Sequence, residues 1–183
     1  AFIVIAPLIG LVLGWTFVTL VMWLCRRQPP VKMDKHFRVV QLFTAAAYSL
    51  GHGGNDAQKT MGIIAALLYA SVWKSDQATF TVGHHFPFWI VIVCCLAIAL
   101  GTMAGGWRIV KTMGMRITKL RPFDGACAQL AAATSLFPSA AMGIPVSTTH
   151  TIAGSIVGFG VIRRIRAVRW GTTINIVWAW ILT

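Results

Sequence analysis

The chain has 183 residues, 57% of them hydrophobic and only 11% charged, with a mean hydropathy of +0.74. A soluble globular domain carries roughly a quarter of its residues as Asp, Glu, Lys and Arg, so that class is excluded. The four acids, Asp34, Asp56, Asp76 and Asp124, face 16 Lys and Arg for a net charge of +12, and the cations sit in short stretches between apolar runs. That spacing argues against a nucleic-acid binder, which clusters its cations on one soluble face, and for a protein of the lipid bilayer.

Taken in chain order, Ala1 to Cys25 is uncharged and long enough to cross a bilayer as a helix, which takes about 20 predominantly apolar residues. It lacks a basic leading region and is not read as a signal peptide. Residues 26–38 hold Arg26, Arg27, Lys32, Lys35 and Arg38. Val39 to Trp73 is apolar on both sides of GHGGNDAQKT, residues 51–60, and is expected to make one net crossing interrupted at that motif. The stretch from Lys74 to Phe86 has one lysine, and its Asp76, His84 and His85 are read as a solvated loop in preference to a metal site.

Pro87 to Gly106 is a second uncharged span, followed by Arg108, Lys111, Arg116, Lys119 and Arg121. Gly125 to Ile162 is expected to leave and come back, as two spans or a re-entrant hairpin. Its midpoint is LFPSAAMGIPVSTTH, where Pro138, Gly143 and Pro145 break helix. A basic stretch at 163–169 and an apolar tract from Gly171 complete the chain. Cytoplasmic loops carry the excess Lys and Arg, which places the three basic stretches inside and residues 74–86 outside. The chain begins without methionine and ends within an apolar tract, so it reads as a piece of a longer protein, with residues 1–183 forming a single membrane domain.

Both polar interruptions predict a cavity, because non-helical backbone in a bilayer is tolerated only where protein or water satisfies it. Asn55 and Asp56, and likewise Ser147, Thr148 and Thr149, are N-cap residue types placed before apolar helical runs. Helix N-termini offer free N–H groups and a positive dipole end, so two of them facing one cavity make an oxyanion site. Discontinuous helices at the midplane are the usual build of secondary transporters.

Ionisable groups inside a membrane tract are costly and functional by default, which singles out Asp56 and Lys59. Asp56 is suited to a cation or proton, helped by the Asn55 amide. Lys59, one turn on, has two open roles: neutralising Asp56 or meeting an anion. His52 is a residue type fit for a proton-linked step or, equally, for bonding a nearby carbonyl. Three hydroxyls at Ser147, Thr148 and Thr149 exceed what a cap needs, so they are candidate substrate contacts, with Gly53, Gly54 and His150 in support. Gly154 and Gly158 form a G-x-x-x-G pair, read as helix packing. Cys25, Cys94, Cys95 and Cys127 show no metal spacing and are read as apolar filler; no metal site or cofactor is assigned.

The motifs Gly53-Gly54-Asn55-Asp56 and Pro145-Val146-Ser147-Thr148-Thr149-His150 resemble the paired signature of the PiT (Pho4) family of inorganic phosphate transporters, and the resemblance runs over essentially the whole chain, including RPFDGACAQLAAA. Gln58 and Lys59 after the aspartate resemble the bacterial members. The resemblance implies an all-α polytopic membrane protein with broken helices, one half of an inverted-repeat carrier whose N-terminal repeat is missing here. It implies symport of inorganic phosphate with H⁺ or Na⁺ across the bacterial inner membrane. Asn55, Lys59, Ser147, Thr148 and Thr149 would meet phosphate, and Asp56, Asn55 and His52 the cation. Sulfate or a metal phosphate as cargo, and a homodimeric assembly, stay open. The rival class is an enzyme: Gly53 to Thr60 nearly spells a P-loop, with Gln58 where the second glycine belongs, but the flanking runs are membrane-like and no apolar strand ending in Asp follows to hold Mg²⁺.

Overall fold

A computed structural model describes residues 2–27, 29–71, 88–118, 120–144, 146–163 and 168–182. Among these residues there are six α-helices and no strand: α1 (Phe2–Leu24), α2 (Pro30–Ser71), α3 (Phe88–Lys111), α4 (Pro122–Ala141), α5 (Thr148–Arg163) and α6 (Trp170–Leu182). A π-helical segment, Thr112–Ile117, continues directly from α3. The expected all-α architecture is what the chain forms. Val4–Leu24 in α1 and Phe88–Trp107 in α3 are long and apolar enough to cross a membrane. Their outward faces carry large exposed apolar side chains, among them Leu8, Val12, Trp15, Leu96, Leu100 and Met103.

The interruption expected at GHGGNDAQKT does not occur. α2 is one continuous helix of 42 residues, and Asn55 and Asp56 lie inside it and do not cap a new one. The physical reason is that glycine weakens a helix interior by only about 1 kcal/mol and keeps its N–H, whereas proline removes the donor and clashes with the preceding turn. The only proline between 30 and 71 is Pro30, at the first helical position where no N–H is needed. Strong helix formers on either side, AAAYSL and IIAALL, carry the ladder through Gly51, Gly53 and Gly54. Lys35 and Arg38, expected in a loop, sit on the first turns of this helix. At 1.5 Å per residue α2 is about 63 Å long, roughly twice the hydrocarbon thickness of a bilayer, so it cannot lie wholly inside one when upright.

The second interruption is present. α4 begins at Pro122, with the Asp124 carboxylate accepting the Arg121 N–H at 2.9 Å, and runs through Pro138 to Ala141. It ends in a Schellman motif: Gly143 has φ +67°, its N–H donates to Ala140 O at 3.1 Å, and the Ile144 N–H donates to Ser139 O at 2.9 Å. Gly143, and not Pro138, therefore stops the helix. α5 starts at Thr148, giving a helix–break–helix hairpin.

α5 packs most closely on α1, and the contact is backbone on backbone. A side chain at Gly10 or Gly14 would collide with the main chain of Thr151 or Ser155, and one at Gly154 or Gly158 with that of Pro7 or Leu11. Each helix thus presents a G-x-x-x-G pair to the other, the arrangement that lets membrane helices approach closely. α2 lies along α4, where Gly125 makes room for the Gln41 amide and Thr44 Oγ1 lies 2.9 Å from Gln129 Oε1. Val18, Phe123, Cys127 and Phe159 join α1, α4 and α5 in one apolar cluster, and Ala57, Ile90 and Cys94 join α2 to α3. Asp76, His84 and His85 lie outside the described residues.

Candidate functional site

The two sequence motifs, some ninety residues apart, meet where the middle of α2 crosses the 142–147 break. Asn55 is fully buried, and its Nδ2 donates to Val146 O at 2.5 Å. Lys59, one turn further along α2, brings Nζ within 3.3 Å of the same carbonyl and donates to Asp56 Oδ1 at 3.1 Å. Asp56 Oδ2 lies 3.4 Å from His52 Nδ1 and 3.5 Å from Thr148 Oγ1, the latter at the outer limit of a hydrogen bond. His52 Nδ1 lies within ion-pair distance of the carboxylate without the alignment of a hydrogen bond. Tyr48, one turn earlier, stacks on the His52 ring at 5.9 Å.

A helix places these groups together by period alone. His52, Asp56 and Lys59 are four and three residues apart, so they share one face of α2. Had the helix broken at Gly53-Gly54, His52 and Asp56 would not be stacked in this way. A Cβ at either Gly53 or Gly54 would meet nothing within 4 Å, so neither glycine serves a close approach among the described residues.

The three hydroxyls of the break have three different surroundings. Ser147 Oγ is paired with His150 Nδ1. Thr148 is buried and turned to Asp56. Thr149 is on the wall of a cavity of about 1090 Å³ bounded by α2, α3, α4, α5 and the π-helical segment, which His52 and Asp56 also line. The Ser147 carbonyl takes the Thr151 N–H at 3.1 Å and the Thr151 hydroxyl at 3.0 Å, which closes the first turn of α5. Asn55, Lys59, Ser147, Thr148 and His150 are not among the residues that line it.

Several groups on that wall are not among the site candidates that the sequence singles out. Gln41, Tyr48 and Gln129 present amides and a phenol to the cavity, and Lys111 and Arg121 line it as well. The signal for the two glutamines was present, as single polar residues inside the apolar runs QLFTAAAY and ACAQLAAA. Gly10 and Gly14 were legible as the partner pair of Gly154 and Gly158. Among the described residues no group of three or more His, Cys, Asp or Glu is placed to hold a metal ion.

What the arrangement offers chemically is a carboxylate held by a lysine, a histidine and a hydroxyl, beside the start of a helix whose first residues bear hydroxyls. A small cation and an oxyanion are the two ligands such groups bind.

Comparison with known proteins accords with that chemistry. The chain is 55% identical over 181 residues to a probable low-affinity inorganic phosphate transporter of Rhizobium meliloti (strain 1021), covering 99% of this chain and 52% of the relative. It is 40% identical over 182 residues to a protein of the same description from Bacillus subtilis (strain 168), covering 99% and 53%. Sodium-dependent phosphate transporter 1 of Mus musculus is 33% identical over 161 residues, covering 88% and 23%. The chain spans about half the length of the bacterial relatives it matches. No solved structure matches it. The sequence model described as PHO4, phosphate transporter family, matches residues 1–183. That family is one of membrane transporters, and an unbroken α2 through Gly53 to Thr60 leaves no loop for a nucleotide phosphate, so the P-loop-like reading falls. The chain belongs to the phosphate transporter family.

Proposed function

We propose that the full-length protein carries inorganic phosphate across the bacterial inner membrane in symport with a cation, H⁺ or Na⁺. The observation that supports this most directly is the docking of Asn55, Asp56 and Lys59 on the segment Val146–Thr148 beside a cavity lined by Asp56 and Thr149. The names of the bacterial relatives point to phosphate, and that of the mouse relative to sodium. A second repeat, supplied by the rest of the full-length chain, would complete the site.

The coupling follows from charge. Asp56 and Lys59 are paired at 3.1 Å across one turn of α2. A cation binding the Asp56 carboxylate competes with Lys59 for it. The released ammonium is then free for a phosphate oxygen, and Thr149 with the first N–H groups of α5 supplies further donors. Each ligand raises the affinity for the other, and by equal factors in both directions. Uptake of labelled phosphate into proteoliposomes under separately imposed proton and sodium gradients tests the reading. Accumulation under one gradient that collapses without it supports symport; uptake under neither, or of sulfate in preference to phosphate, overturns it.

A further inference from the structure

The cavity beside Asp56 is long, and its two ends differ in charge. Gln41 and Asp56 both line it and are fifteen residues apart on α2, about 22 Å at 1.5 Å per residue. The neighbouring helices are ordered along the same axis. Ala57 packs with Ile90 near the start of α3, so Lys111, the last residue of α3, lies toward the Gln41 end. Gly125 of α4 leaves room for the Gln41 amide, and Arg121 stands one turn before Gly125. Arg121, Gly125 and Gln129 recur every four residues, share one face and all line the cavity. Lys111, Arg121 and Gln129 therefore gather at one end, and Asp56 with Thr149 at the other.

The basic end is equipped with donors. The Thr44 hydroxyl donates to Gln129 Oε1 at 2.9 Å, which leaves the Nε2 donors of that amide for another acceptor. An ammonium and a guanidinium donate and cannot accept. Among the described residues the ion pairs are those of Asp56 with His52 and Lys59, so neither Lys111 nor Arg121 has a carboxylate partner there. Asp56 is also the one acid among the described residues of the wall. Basic residues at an inner membrane face commonly set topology alone; these two, however, line the same cavity as the carboxylate. We propose that Lys111, Arg121 and Gln129 form a second oxyanion subsite, at the cytoplasmic end of the cavity, which phosphate occupies on its way between the Asp56 site and the cell interior. The subsite rests on the phosphate-carrier reading above. A cleft lined by one sign of charge raises the local concentration of the opposite ion, so this end draws in phosphate and repels the coupling cation, and the two part company there.

A subsite at one mouth acts on one side of the membrane. The test is phosphate uptake by the full-length protein in right-side-out and in inverted membrane vesicles from cells without other phosphate carriers, which read the outer and the inner KM. Both cations are exposed, so their replacement spares the core. Lys111→Gln with Arg121→Gln raises the inner KM about tenfold, the low end of the gain from electrostatic focusing, and leaves the outer KM in place. The inner KM of the wild type rises with ionic strength, and that of the double variant does so much less. Lys111→Arg with Arg121→Lys, which keeps both charges, retains the wild-type inner KM. Gln129→Leu raises the inner KM and again spares the outer one. An inner KM unchanged in the charge-removing variant overturns the subsite, as does an equal rise on both sides, which a merely structural role would give. Activity lost at constant KM in proteoliposomes of phosphatidylcholine, and regained on adding phosphatidylglycerol, assigns the two cations to lipid headgroups and overturns it too. In each of these cases wild-type transport persists and the carrier reading stands; a wild-type protein that takes up no phosphate from either side removes both.

Discussion

Asp56 is the single acid among the described residues of the cavity wall, and three neighbours converge on it. Replacing its charge without changing its volume separates binding from folding. Asp56→Asn is expected to abolish cation-driven phosphate accumulation while the protein still inserts and reaches normal abundance, measured by uptake against membrane-fraction immunodetection; gradient-driven uptake at the wild-type rate would remove Asp56 from the coupling step. Thr148 and Thr149 divide differently. Thr148 faces the carboxylate, so Thr148→Ala is expected to weaken the apparent affinity for the cation more than that for phosphate. Thr149 faces the cavity, so Thr149→Ala is expected to raise the phosphate KM, by on the order of 1–2 kcal/mol for one lost bond to a charged group. Equal effects of both variants on both ligands would sink that division. The charged and hydroxylated members of this set were legible in the sequence because an ionisable group in an apolar tract is costly. Gln41 and Gln129 gave a weaker signal, as single amides inside apolar runs, since an amide there carries no comparable penalty and its role is set by what faces it.

At the scale of elements, the two interruptions looked alike in sequence and part ways in structure. GHGGND lacks proline and stays helical; MGIPVS has Gly143 in the left-handed region and opens. Proline content separates them only in part, because Pro138 stays inside α4 and glycine is compatible with both outcomes; the contact that docks the two motifs, Asn55 to the Val146 carbonyl, joins residues 91 apart in the chain. An alanine at Gly143 would have to adopt φ near +67°, at a cost of about 1–2 kcal/mol. Gly143→Ala is accordingly expected to lower the melting temperature in detergent, and to weaken phosphate binding by shifting the start of α5. The α1–α5 seam is less forgiving. Gly154→Val would drive a branched side chain into the Pro7 main chain, and is expected to destabilise the protein by about 1–3 kcal/mol or more. Thermal unfolding of Gly154→Val no different from wild type would mean that the two helices do not pack this tightly.

For the molecule as a whole, the order of the apolar runs was readable and the boundaries of α1, α3 and α6 fall close to them, whereas α2 is one helix from Pro30 to Ser71 where a break was expected. What run lengths could not convey was which helices touch, since glycine pairs, and not hydrophobicity, select partners where lipid is as apolar as leucine. Topology gives a test at this scale. In a background without native cysteines, cysteine at Lys35 is expected to react with an impermeant thiol reagent only from inside, and cysteine at Ser71, at the other end of α2, only from outside. Cysteine at Thr149 is expected to label slowly and to be protected by phosphate; rapid labelling indifferent to phosphate would place the break at the membrane surface. One detail of the docked helices reaches further. Asn55 and Lys59 seize the same carbonyl oxygen, Val146 O, from successive turns of an unbroken rod. A rod that slides or rolls lets go of both at once. The two grips on that one oxygen are therefore made and lost together.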